Sequence, residues 1–273
     1  MMWEKQLSAL KPGSSPIDWC EGNYQVSANI AEFVNTLSNF LFLLLPPLLI
    51  HLFRDYGHFI NPGIHLVWVL MIVVGLSSAY FHATLSLIGQ LLDEVAILWV
   101  CAAAFSLFFP KKFFPRCFNG NRKIFGTVMG MCAAVCTMLT FWEPAVNAFA
   151  LMLLVIPTFM LLYSAIKQER SQRVYRLGLR SALVMALAIV CWLLDKFFCD
   201  TVLGEKFPYL HALWHVLIFI SSYTACVLFA YYAVKEEYTN RIPDLRYWPV
   251  NEFELGIPFV SIKCYYNDEK RNI

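Results

Sequence analysis

Charge is what this chain has least of. Asp, Glu, Lys and Arg make up 15% of its 273 residues, 59% are hydrophobic and the mean hydropathy is +0.57. Soluble domains carry about a quarter charged residues, so an ordinary soluble fold is excluded. Internal repeats, low-complexity tracts and Asn-x-Ser/Thr sequons are absent as well. Residues 1–29 are polar and mixed and contain no apolar core of a cleavable signal, so the first hydrophobic run is expected to act as an uncleaved insertion signal. The formal charge of +2 says nothing about a partner, and neither nucleic acid nor an obligate protein partner is expected.

What the chain does have is long apolar runs. Seven stretches approach the roughly 20 residues that cross a bilayer as a helix: 30–52, 63–85, 88–109, 124–142, 145–165, 177–198 and 210–234. The sixth carries Arg180 in its first turn, which can snorkel to the interface. Basic residues alternate between the connecting segments. Arg54 follows the first span; Lys111, Lys112, Arg116, Arg122 and Lys123 separate the third and fourth; Lys167, Arg170, Arg173, Arg176 and Arg180 lie around the start of the sixth; Lys235, Arg241 and Arg246 follow the seventh. The intervening loops hold little beyond Lys196 and Lys206. The positive-inside rule then places the N-terminus in the lumen and the C-terminus in the cytosol. The expected fold is an all-α integral membrane protein, a bundle of seven transmembrane helices. Residues 1–29 form a lumenal segment, 30–234 the membrane domain and 235–273 a cytosolic tail whose aromatic residues (Tyr247, Trp248, Phe253 and Phe259) rest on the membrane surface.

That topology sorts the histidines. His82, His211 and His215 fall near lumenal span ends, whereas His51, His58 and His65 fall at the cytosolic end. His211 and His215, four apart, share a helix face. Three neutral imidazoles leave one tetrahedral position open, the arrangement of a catalytic zinc. Asp93, at the same depth, is placed as general base, and Ser78, one turn before His82, as a donor to an oxyanion. Each has a plainer alternative: histidines that hydrogen-bond neighbouring helices, a structurally paired aspartate, a serine that packs helices.

The N-terminal segment carries a second constellation. Asp18-Trp19-Cys20-Glu21-Gly22-Asn23, with Glu32 beyond it, collects carboxylates, an amide and a backbone carbonyl in a tight turn that suits calcium; a solvated acidic turn is the alternative. Of nine cysteines, only Cys20 and Cys199 fall on the lumenal side, which predicts a disulfide between them.

These residues also carry a resemblance. Asp18-Trp19-Cys20-Glu21-Gly22-Asn23-Tyr24, Ala31-Glu32-Phe33, Ser78-Ala79-Tyr80-Phe81-His82-Ala83-Thr84-Leu85, Gly89-Gln90-Leu91-Leu92-Asp93-Glu94 and His211-Ala212-Leu213-Trp214-His215 resemble the alkaline ceramidases over nearly the whole chain. The resemblance implies a membrane amidase that hydrolyses ceramide to sphingosine and a fatty acid. It implies zinc on His82, His211 and His215, chemistry assisted by Asp93 and Ser78, and calcium on Asp18, the Trp19 carbonyl, Glu21, Asn23 and Glu32. The tail, Tyr247-Trp248-Pro249 and Gly256-Ile257-Pro258-Phe259-Val260, looks most like the type-2 branch, which implies the Golgi membrane, with the endoplasmic reticulum as the other location.

Other seven-span classes fit less well. A receptor coupled to G proteins would show an acidic-basic switch where Ser106-Leu107-Phe108-Phe109-Pro110 stands, and an Asn-Pro pair in the last span, which ends Ala230-Tyr231-Tyr232-Ala233. A lipid-sensing receptor without hydrolytic role is the main alternative, but receptors of the adiponectin type have the opposite orientation. A transporter would need a polar path, and the fourth and fifth spans are nearly devoid of polar residues.

Overall fold

The structure is a computed structural model that describes residues 8–200 and 207–264. Parts of three expected segments lie outside the described residues: 1–7 of the N-terminal segment, 201–206 before the last span and 265–273 of the tail. Among the described residues, seven helices or helix pairs are long and apolar enough to cross a membrane. We label them α1 (Phe33–Ser38) and α2 (Phe40–Leu52), which together form the first span, then α4 (Gly63–Thr84), α5 (Leu87–Phe108), α6 (Arg122–Thr140), α7 (Ala145–Lys167), α8 (Gln172–Phe197) and α9 (Leu210–Glu237). A short helix, α3 (Arg54–Phe59), follows the first span. The tail forms an antiparallel pair, β1 (Arg241–Trp248) and β2 (Ile257–Cys264), in which Arg246 faces Phe259 across the ladder.

The expected and observed spans agree within a few residues, with two informative differences. The first span is broken. Ser38 Oγ donates to the Asn35 carbonyl at 2.7 Å and Asn39 Nδ2 donates to the same oxygen at 3.0 Å. Two side chains that converge on one helical carbonyl compete with the backbone for it and bend the chain at that point. The break lets α2 lie close on α4, where a Cβ at Gly75 would come within 2.5 Å of Phe42 Cβ. The sixth span starts earlier, at Gln172, because its basic first turns have partners. Arg173, Arg176 and Arg180 each pair with Glu254, in the connection between the two strands. Arg180 therefore reaches the tail, where it binds both the side chain and the carbonyl of Glu254.

The tail departs from its expected surface position for part of its length. Leu245, Tyr247 and Val260 are buried in the main core, and Phe259 packs against it. Of its four aromatic residues expected at the surface, Trp248 and Phe253 are the two that stay exposed. Alternation along β1 puts Leu245 and Tyr247 on the bundle side and Arg246 outside, the period of a half-buried strand.

At the opposite end, the N-terminal segment completes α4. The last four carbonyls of a helix lack internal donors. Here Glu32 N–H donates to the His82 carbonyl and Ala31 N–H to that of Ala83, both at 3.0 Å. Gly13 N–H reaches Thr84 and Ser15 N–H reaches Leu85, at 3.0 and 2.9 Å. The turn into α5 is tight, with Leu85 at φ 48° and the Ser86 hydroxyl accepting from Gly89 N–H. A disulfide joins Cys20 to Cys199, 179 residues apart, and ties the segment to the end of α8.

Candidate metal centre

His82 stands in the last turn of α4; His211 and His215 stand in the first two turns of α9. All three are buried, and one ring nitrogen from each lies within 4.8 Å of the others. Ring centroids are separated by 4.6–5.0 Å.

Neighbouring side chains fix two of the rings. His82 Nδ1 donates to Glu32 Oε2 at 2.6 Å, which leaves Nε2 as the lone-pair nitrogen. His215 Nδ1 lies 2.6 Å from Ser38 Oγ. The Ser38 proton is committed to the Asn35 carbonyl, so Ser38 accepts from His215 Nδ1–H and His215 also presents Nε2. The third ring, His211, is stacked on Trp19 with centroids 3.7 Å apart. Buried polar atoms almost always find a partner, yet His211 Nδ1 and His215 Nε2 have none in the structure. Two unpartnered nitrogens, in a cluster where all three histidines bring a ring nitrogen within 4.8 Å of the others, fit a metal ion. A second cluster with ligand-like spacing, Cys20, Asp195 and Cys199, differs, since its sulfurs are already bonded to each other.

Ser78, one turn before His82, is buried and lies close to the half-buried Asp93 on α5. Both line a cavity of about 590 Å³ that also reaches the three histidines. Its walls are chiefly apolar. On α5 the lining residues Gln90, Asp93, Ile97, Cys101, Ala104 and Phe108 recur every three or four positions, one helix face. Gln90 to Phe108 is about 27 Å of helix, so the cavity runs most of a bilayer's depth from the histidine end.

The acidic turn lies directly above. Asp18 accepts from Asn23 Nδ2 and its carboxyl is in contact with that of Glu32, so two acidic groups meet with an amide beside them. Glu32 precedes α1 as its cap instead of lying within the helix, and it also accepts from Trp19 N–H at 3.2 Å and Asn35 Nδ2 at 2.8 Å. Glu21 caps α1: its two oxygens accept from Val34 N–H at 2.6 Å and Asn35 N–H at 2.8 Å. Burial raises the Glu21 carboxyl above its ordinary range in spite of those donors. Acidic groups crowded at this burial fit a cation.

Three further residues hold the centre and were missed in the sequence reading. Ser38 and Asn35 fix His215. Asp195, fully buried near the end of α8, accepts from His211 N–H through Oδ1 and from Cys20 N–H through Oδ2, both at 3.2 Å. The available signal was Asn35, Ser38 and Asn39 at i, i+3 and i+4 in an otherwise apolar run, at the depth of the histidines. For Asp195 it was an acid among Trp192, Leu193 and Leu194.

Comparison with known proteins gives a consistent assignment. Residues 11–261 match the Ceramidase family. An alkaline ceramidase of Drosophila melanogaster is 59% identical over 263 residues, which cover 96% of this chain and 92% of that protein. Alkaline ceramidase 1 of Homo sapiens is 36% identical over 250 residues (92% and 95%), and an alkaline ceramidase of Caenorhabditis elegans 33% over 254 (90% and 92%). With a buried histidine triad at the head of an apolar cavity and likeness along almost its full length, the chain belongs to the ceramidase family.

Proposed function

We propose that this protein is a zinc-dependent ceramidase, which hydrolyses the amide of ceramide to sphingosine and a free fatty acid within the membrane. The observation that carries the reading is the convergence of three buried imidazoles with Asp93 and Ser78 on one long apolar cavity, in a chain so similar to alkaline ceramidases. His82, His211 and His215 would hold the zinc. Bound there, it supplies Lewis acidity, activating water and polarising the amide carbonyl.

The chain's own groups do the rest. Glu32 and Ser38 hold His82 and His215 in the tautomers that turn Nε2 inward. Asp93 takes the proton released by the attacking water and delivers it to the departing nitrogen, because an amide anion is too basic to leave unprotonated. Ser78, beside Asp93 in the cavity wall, donates its hydroxyl proton to the oxygen that gains charge. The cavity takes the lipid's chains and keeps bulk water away. Asp18, the Trp19 carbonyl, Glu21, Asn23 and Glu32 would hold calcium, drawing the N-terminal segment onto the histidine end. The distribution of Lys and Arg favours that end facing the lumen, and the likeness of the tail to the type-2 branch favours the Golgi membrane over the endoplasmic reticulum.

The test is elemental analysis of purified protein alongside sphingosine release from ceramide in lipid bilayers. His215→Ala is expected to lose both zinc and hydrolysis. Asp93→Asn should keep the zinc and lose at least a hundredfold in turnover, on the order of a general base's contribution. Zinc retained by His215→Ala, or near-normal turnover in Asp93→Asn, rejects the corresponding role. Wild-type protein that binds ceramide without cleaving it would favour a lipid-sensing receptor.

A further inference from the structure

Hydrolysis of an amide turns one neutral group into two that ionise. Water's oxygen bonds to the carbonyl carbon, the carbon–nitrogen bond breaks, and the acid's proton passes to the amine. A carboxylate and an ammonium therefore arise inside an apolar cavity, where an unpaired ion is costly.

The cavity wall is not electrostatically uniform. Its acidic residues, Asp93 and Glu94, both come from α5. Glu94 is held in place: Oε1 accepts from Gln90 Nε2 at 2.8 Å, and Gln90 Oε1 accepts from Ser15 Oγ at 2.9 Å. Asn147 Nδ2 fixes the Glu94 carbonyl at 3.2 Å. Among the described residues that line the cavity, Lys196 is the only Lys or Arg. It stands in the last turn of α8, its ammonium 5.0 Å from the centre of the Trp19 ring, and that ring stacks on His211. None of the described ion pairs uses Lys196 or Glu94. A cation from α8 and a braced carboxylate from α5 thus line the same cavity as the histidines.

We propose that Lys196 is a carboxylate subsite, which receives the head of the fatty acid as the amide is cleaved, and that Glu94 receives the amine of the long-chain base. This rests on the amidase reading above. Such poles also orient the substrate, since its acyl half must enter with the carbonyl toward α8 and its base half toward α5. An ammonium beside a ligand of the metal centre draws the new carboxylate away from the metal, which clears the site for the next turnover.

The experiment uses the full chain in lipid nanodiscs, with oleate, oleyl alcohol and sphingosine as probes of binding and inhibition. Lys196→Met keeps the length and removes the charge; Lys196→Arg restores it. Oleate is expected to bind and inhibit Lys196→Met about tenfold more weakly than wild type, one hydrogen-bonded charge in scale. Oleyl alcohol and sphingosine should be unaffected, and Lys196→Arg should recover most of the loss. Glu94→Gln is expected to show the converse, weaker sphingosine inhibition with oleate unchanged, and serves if Lys196→Met fails to fold. Equal oleate affinity in wild type and Lys196→Met, or parallel losses for all three probes, overturns the subsite. Oleate binding that depends on Lys196 in a protein that does not hydrolyse ceramide would retain the subsite and sink the amidase reading. Hydrolysis with oleate binding indifferent to Lys196 would do the reverse.

Discussion

At the residue scale, the centre depends on which nitrogen each imidazole presents. Asn35 accepts the Ser38 proton, and Ser38 accepts the His215 proton, so a chain of two hydrogen bonds turns His215 Nε2 toward the other histidines. Ser38→Ala removes the acceptor and leaves the ring free to change tautomer. Loss of such a supporting partner costs about 10- to 100-fold in metal affinity. Chelator competition on the purified variant should show a drop of that size, with hydrolysis recovering as zinc is raised; unchanged affinity would mean that packing alone fixes the ring. The histidine cluster was legible in the sequence because rare polar residues in an apolar background stand out and the basic loops suggested a common depth. Ser38 was not, since a single hydroxyl in a membrane helix usually satisfies its own backbone. Its role exists only through its distance to a residue 177 positions away.

At the element scale, each helix end at the centre is completed by another part of the chain. Carbonyls at the end of α4 take donors from the N-terminal segment, Glu21 caps α1, and Asp195 on α8 caps the start of α9. Helix caps are worth about 1 kcal/mol each, and a buried N–H left without an acceptor costs about 1–3 kcal/mol. Asp195 combines both effects at His211 itself. Asp195→Ala is expected to loosen the first turn of α9, lowering metal affinity and shifting the thermal midpoint down by several degrees. Asp195→Asn keeps one acceptor oxygen and should recover part of the metal affinity. Equal, wild-type metal binding in both would show that α9 is held without the cap. The seven spans were legible from hydropathy and loop charge. The early start of α8 and the strands of the tail were not, because both depend on Glu254 meeting three arginines across a turn, a contact between segments that each look irregular. Pro243 and Pro258 also argue locally against strands and are tolerated here because the sheet has only two of them, both edges.

At the scale of the whole molecule, non-spanning segments hold the bundle at both ends, and the two ends separate function from stability. At the histidine end, the Cys20–Cys199 disulfide fixes the segment that supplies Trp19 against His211 and Glu32 against His82. At the other end, the strand pair rests on α9 and α3, with Glu254 gathering the arginines of α8. Both attachments restrain the same helix pair, α8 and α9, but only one touches the metal centre. Cys199→Ser therefore should weaken metal retention and any calcium response as well as thermal stability, since a disulfide of this kind contributes about 2–4 kcal/mol. Glu254→Ala should lower the thermal midpoint by a few degrees with metal content and hydrolysis at low temperature close to wild type, because the histidines lie at the far end of helices more than 20 residues long. Parallel thermal scans and metal analysis of the two variants distinguish these outcomes. If Glu254→Ala releases metal as readily as Cys199→Ser, α8 and α9 transmit strain along their full length, and the tail must be counted as part of the site.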